Sequence, residues 1–167
     1  MVMSKVARLV RVGIGDMDIV KAPDRIRTSG LGSCVGIILF DEVKKIGGML
    51  HIMLPDSSMA KKITMNRAKY ADTGIADLYD QITNTGALPY RVQAKIAGGA
   101  QMFQFTSSSD MMRIGPRNVE AVKQKLAQLN IPIVAEEVGG KSGRTIEFDP
   151  ETTQLNIRTV NRGESVI

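Results

Sequence analysis

One cysteine and one histidine occur in the 167 residues, and both fall in a single stretch running from Thr28 to Pro55. A thiolate is a strong nucleophile toward carbonyl carbon, but a free thiol with a pKa of about 8.5 needs a neighbour to ionise at neutral pH. An imidazole within hydrogen-bond reach can take that proton, and a third group usually orients the ring. Cys34 is therefore the candidate nucleophile and His51 the candidate base. Thr28, with a hydroxyl and a carbonyl to offer, is the candidate orienting group. Gly30-Leu31-Gly32-Ser33 runs directly into Cys34. Its two glycines let the backbone turn tightly and bring amides near Gly32 and Ser33 close to a substrate oxygen, as an oxyanion hole requires. Taken singly, each residue has a plainer account: a small buried thiol, a satisfied core imidazole, a β-branched strand residue. Together they describe acyl transfer.

Two apolar runs must position the pair. Val35 to Phe40 and Gly47 to Leu54 are each too short for a comfortable helix and are flanked by Gly and Pro, so they read as strands. The polar residues between them, beginning at Asp41 and ending at Lys45, read as a hairpin loop. Directly opposed residues of an antiparallel pair share a face. A two-residue loop at Glu42 and Val43 sets Cys34 opposite His51. A four-residue loop from Glu42 to Lys45 sets Cys34 opposite Met53 and leaves His51 on the same face, diagonally placed. An odd loop would separate the two side chains.

The remaining chain alternates strands with helices. Ala7 to Ile14 has the β-branched content of a first strand, followed by a polar segment through Pro23 and Asp24. From Asn66 to Thr85 the period becomes helical, with Ala71, Ile75, Leu78, Tyr79 and Ile82 three or four apart and Gly86 as a stop. Arg91 to Ala97 alternates as a half-buried strand. A second helix begins near Pro116 and carries Val119, Val122, Leu126 and Leu129 on one stripe, ended by Asn130 and Pro132. Ile133 to Val138, Thr145 to Phe148 and Leu155 to Val160 close the pattern as strands. This order predicts a layered α/β domain, one unit over residues 1–167, with no internal repeat.

Composition narrows the function classes. The chain is 43% hydrophobic and 23% charged, as in ordinary soluble proteins, and its longest apolar run is far too short to span a bilayer. The net charge of +5 is scattered, without an arginine-rich run or an aromatic-basic platform, so a solvated basic surface explains it better than nucleic acid does. A single cysteine forms no internal disulfide and fits the reducing cytoplasm. One Cys and one His do not make a four-ligand zinc site, so no metal or other cofactor is expected. Gly139-Gly140-Lys141-Ser142-Gly143 resembles a phosphate loop only in part: Ala135 stands where the first glycine belongs, and a strand follows where a helix should. Met102, Phe103 and Phe105 follow the Gly98-Gly99 turn, either as core or as anchors of a protein interface.

Threonine six residues before Cys34, histidine seventeen after it and the Gly-Ser-Cys turn resemble the CheD family, the chemoreceptor glutamine deamidases of bacterial chemotaxis. The resemblance extends to Asn66-Arg67 and Lys69-Tyr70-Ala71, Gly98 to Phe103, Ile114-Gly115 with Arg117-Asn118, and Gly139-Gly140 with Gly143-Arg144. It implies a layered α/β/α-type sandwich with mixed, largely antiparallel sheets, related to the catalytic domain of the cytotoxic necrotizing factor toxins. It also implies a Cys34-His51-Thr28 triad that hydrolyses glutamine carboxamides on methyl-accepting receptors. The CheC phosphatase is the implied partner, facing the region of Met102 and Phe103. A non-catalytic adaptor for receptors and CheC, or a cysteine peptidase, are the alternative readings.

Overall fold

A computed structural model of the chain describes residues 6–60, 65–102 and 113–167. Ten strands and two α-helices occur among them. The inner sheet, in the order β2-β5-β4-β6-β7, is built from β2 (Met17–Lys21), β4 (Val35–Asp41), β5 (Ile46–Ile52), β6 (Gln93–Gly98) and β7 (Ile133–Val138). All its pairings are antiparallel except β6 with β7, which α2 (Ile114–Gln128) connects. The outer sheet, in the order β1-β3-β8-β9-β10, holds β1 (Leu9–Arg11), β3 (Arg25–Leu31), β8 (Arg144–Asp149), β9 (Gln154–Thr159) and β10 (Gly163–Val166). No helix among the described residues is long and apolar enough to cross a membrane.

Strand alternation divides the core in two. Val35, Ile37 and Leu39 of β4, with Leu50 and Ile52 of β5, face α1 (Ala71–Thr85) and α2. Ile38, Phe40 and Met49 point the other way, onto Ile26, Ile146 and Phe148 of the outer sheet. Every residue of β4 and β5 is buried, which explains why these strands read as continuous apolar runs. The expected layered α/β class with mixed, largely antiparallel sheets is what the structure shows. Its layers run helix, sheet, sheet: both helices share one face of the inner sheet, so the layer expected as helix in an α/β/α-type order is the outer sheet instead.

Two glycines let the sheets come close. Stacked sheets lie roughly 10 Å apart when side chains fill the gap. A Cβ on Gly36 would lie 2.6 Å from Ile146 Cδ1, and one on Gly47 would lie 2.6 Å from the Phe148 ring. At these points the outer sheet's side chains rest on bare backbone.

Element limits moved where the pattern was weak. The first strand shrinks to three residues, and the segment expected as polar contains β2, an edge strand whose Asp18 and Lys21 face solvent. Short one-sided burial leaves little apolar signal. The first long helix starts at Ala71, after a 3-10 turn over Arg67–Lys69, and ends at Gly86 as expected, with φ 129°. β10, fully exposed along its length, carried no pattern at all.

The β4–β5 loop has four residues, because Asp41 pairs with Ile46. Asp41 is 0% exposed and holds this turn from inside. Its carboxylate accepts the amides of Val43 (3.0 Å), Lys44 (3.1 Å) and Leu88 (2.9 Å) and the Nε of Arg91 (3.1 Å). Burial alone would raise its pKa; the Leu88 and Lys44 amides, the Arg91 guanidinium and the Val43 amide outweigh it and hold the carboxyl below its ordinary range. Asp41→Ala strands these donors and is expected to destabilise the protein by about 3–5 kcal/mol in denaturant titration. A loss below about 1 kcal/mol, the size of an ordinary surface change, would contradict this.

Candidate active site

The four-residue loop fixes the faces. Gly36 pairs with His51 and Val35 with Ile52, so Cys34, immediately before β4, falls opposite Met53 and on His51's side of the sheet. Both groups face the space between the sheets, where Cys34 packs against the cluster containing Ile38, Ala97 and Ile146. This is the second of the two even-loop arrangements the sequence allowed.

Thr28 reaches His51 from the other sheet. Its hydroxyl lies 2.7 Å from the Val12 carbonyl oxygen and 2.7 Å from His51 Nδ1. A hydroxyl has one proton, and the carbonyl can only accept. Thr28 therefore donates to Val12 and accepts from Nδ1–H, which leaves Nε2 unprotonated on a neutral ring. His51 is fully buried, and Nε2 has no hydrogen-bond partner among the described residues. The thiol thus does not close on Nε2 in this conformation, as often holds for a site without substrate.

Burial sets the charge states. Desolvation brings the His51 pKa down to about 4, and with no carboxylate as its partner nothing favours the imidazolium. Desolvation also raises the thiol of half-buried Cys34, partly offset by its own backbone N–H. Both groups are neutral at pH 7. Such a pair can pass the thiol proton to Nε2 as sulfur attacks, without a preformed ion pair.

The turn before Cys34 is held by its carbonyls. Ala100 N–H donates to the Gly32 carbonyl (2.8 Å), Asn118 Nδ2 to that of Ser33 (2.9 Å), and Gly99 N–H to that of Cys34 (2.8 Å). Gly32 N–H closes back on the Gly30 carbonyl at 3.1 Å, so the Gly32 amide is spent inside the turn. The Ser33 and Cys34 amides donate to no backbone carbonyl among the described residues. Gly98, at φ 112°, must be glycine: a Cβ there would lie 2.4 Å from the Cys34 carbonyl oxygen.

Of the residues singled out from the sequence, Thr28 and His51 are in contact, and Cys34 shares their side of the inner sheet. Met102 is 47% exposed and lies beside the turn, where a Cβ on Gly32 would be 3.5 Å from its Cγ. Phe103 falls outside the described residues. Sequence reasoning gave no role to Val12, whose contribution is a backbone carbonyl and carries no side-chain signal. It also gave none to Asn118, although Asn118 sits in the buried α2 stripe between Gly115 and Val122, an odd place for a carboxamide.

A family model described as CheD chemotactic sensory transduction matches residues 53–159. The chemoreceptor glutamine deamidase CheD of Halalkalibacterium halodurans is 60% identical over 159 residues, 95% of this chain and 98% of its own. The proteins of the same name from Bacillus subtilis and Bacillus velezensis are 52% and 51% identical, each over 96% of this chain and 97% of their own. The family match begins after His51, but the 159-residue span takes in Thr28 to His51 as well. A solved structure, hypothetical protein YfiH of Bacillus licheniformis, aligns with 74% of this chain and 56% of its own at TM-score 0.43 and 16% identity.

The His51 environment makes stability depend on pH. Between the unfolded value of 6.5 and about 4, the unfolded chain binds a proton here that the folded chain does not. Stability contributed by this site is complete above pH 6.5 and falls as pH drops toward 4. Between pH 7 and 4.5 the loss is about 2–3 kcal/mol in denaturant titrations, and His51→Gln lacks that component. Identical pH dependence in the two proteins would contradict a buried neutral imidazole.

Proposed function

The chain belongs to the CheD family, and from that membership we propose that it hydrolyses the side-chain amides of selected glutamines on chemoreceptors to glutamates, releasing ammonia. The observation that carries the reading is the Val12–Thr28–His51 hydrogen-bond chain, which leaves a proton-accepting Nε2 on the same side of the sheet as the chain's one thiol.

In this mechanism Cys34 Sγ attacks the carboxamide carbon as Nε2 takes the thiol proton. The carbonyl oxygen gains negative charge and accepts hydrogen bonds from the Ser33 and Cys34 amides. The C–N bond breaks as the imidazolium protonates the departing nitrogen. Water, deprotonated by Nε2, then attacks the thioester; the C–S bond breaks, and the thiol recovers its proton. Thr28 accepts from Nδ1–H throughout, so the ring stays oriented as its charge changes. A peptidase would require the same groups to meet a backbone amide.

CheC is the partner proposed for the surface around Met102 and Phe103. The exposed Met102 thioether beside Gly32 supports placing that surface at the rim of the site.

Intact-mass analysis of a receptor cytoplasmic fragment tests the reading. Wild-type protein is expected to convert amides to acids with ammonia release, Cys34→Ala to do neither while remaining folded. Thr28→Val is expected to lower kcat about 10–100-fold, part of the roughly 10²–10⁴-fold that a positioned base supplies. Activity in Cys34→Ala removes the thiol from the mechanism; receptor fragments in place of the acid product favour a peptidase; an unmodified receptor in a stable complex favours an adaptor.

A further inference from the structure

Asn118 is fully buried on α2, and its one carboxamide spans the two segments that bear the proposed catalytic pair. Nδ2 donates at 2.9 Å to the carbonyl of Ser33, the residue before Cys34, and at 3.0 Å to the carbonyl of Met53, just past His51's strand. The orientation of the group is determined by these contacts, since two carbonyls can only accept. It leaves Oδ1 buried with no partner among the described residues. An unsatisfied buried acceptor costs free energy, so this placement is one that packing alone does not reward.

The Ser33 carbonyl and the Cys34 N–H belong to one trans peptide plane, in which C=O and N–H point in opposite directions. Drawing the carbonyl toward α2 turns the Cys34 N–H away from α2. That amide meets no backbone acceptor among the described residues, and it lies on the side of its own sulfur. At Met53 the same logic is visible on both sides of the peptide: the carbonyl goes to Asn118, and the following amide, of Leu54, goes to the Lys69 carbonyl at 3.0 Å.

We propose that Asn118 is a positioning residue for the deamidation: by holding the Ser33 carbonyl it aims the Cys34 amide at the oxygen that gains charge when sulfur attacks, and by holding the Met53 carbonyl it fixes that amide relative to His51's strand. The proposal rests on the deamidase reading for its catalytic consequence and on the geometry alone for the orientation of the amide.

The test compares wild type with Asn118→Leu, which keeps the branched heavy-atom shape and removes both donors. Asn118→Ala is the second variant should the leucine not fold. Three quantities are read: kcat and KM for ammonia release from a receptor cytoplasmic fragment, the rate of Cys34 alkylation by iodoacetamide, and the backbone amide resonance of Cys34. Alkylation at saturated carbon builds no oxyanion, so it reports on the thiol alone. Loss of an aimed oxyanion donor lowers kcat by about 10²–10³-fold. KM and the alkylation rate are expected to stay within a few-fold, while the Cys34 amide resonance moves and those of β9 do not. A folded variant with wild-type kcat overturns the proposal, and so does a parallel fall of kcat and alkylation, which marks general damage to the site. If wild-type protein releases no ammonia, the deamidase reading fails. The Cys34 resonance then decides the orientation by itself, and an unchanged resonance overturns it.

Discussion

A single hydroxyl proton orders this site. Thr28 on the outer sheet gives its proton to the Val12 carbonyl and must therefore accept one from His51 on the inner sheet. The contact joins two layers that side chains would normally hold apart, and it exists because Gly36, paired directly with His51, leaves room for Ile146 of the outer sheet to settle onto the strand. Sheet packing, ring tautomer and the free lone pair on Nε2 are thus consequences of one arrangement.

The same burial that holds the ring keeps it uncharged. No carboxylate is aimed at Nδ1, only a hydroxyl, so desolvation dominates and the imidazole stays neutral at physiological pH. Desolvation raises the thiol pKa, so it too is held neutral. A neutral pair of this kind keeps its proton on sulfur and leaves a bare lone pair on Nε2. Around it, carbonyls and not side chains are the handles: Gly32, Ser33 and Cys34 are each held through C=O, by Ala100, Asn118 and Gly99 respectively. A rigid backbone amide pair costs little reorganisation when charge develops.

Much of this was legible in the chain because it depends on strand parity. The apolar runs flanking Asp41 fixed the hairpin, and the even loop length placed thiol and imidazole on one side. What the sequence left open was the loop length itself, two, four or an odd number of residues; the structure has four, with the buried Asp41 carboxylate at its start bound to Leu88 and Arg91, residues remote in sequence. Nor could parity show which residue meets Nδ1, since Thr28 and His51 lie in different sheets and no local rule relates their registers. The helix-over-sheet layer followed from the 3.6-residue stripes, and most outer strands were legible too; their assembly into a second sheet was not, because it depends on the long-range pairing of β3 with β8 and not only on the local β8–β9 and β9–β10 hairpins. Asn118 was readable only as an anomaly in the α2 stripe, and its meaning required the two carbonyls it touches.

Nitrogen-15 spectroscopy of His51, the one histidine of the chain, tests the central claim most directly. The account predicts a neutral ring protonated at Nδ1 and bare at Nε2 from neutral pH down to about 5, with the imidazolium forming only near 4. A ring protonated at Nε2, or an imidazolium already present at pH 7, would contradict it.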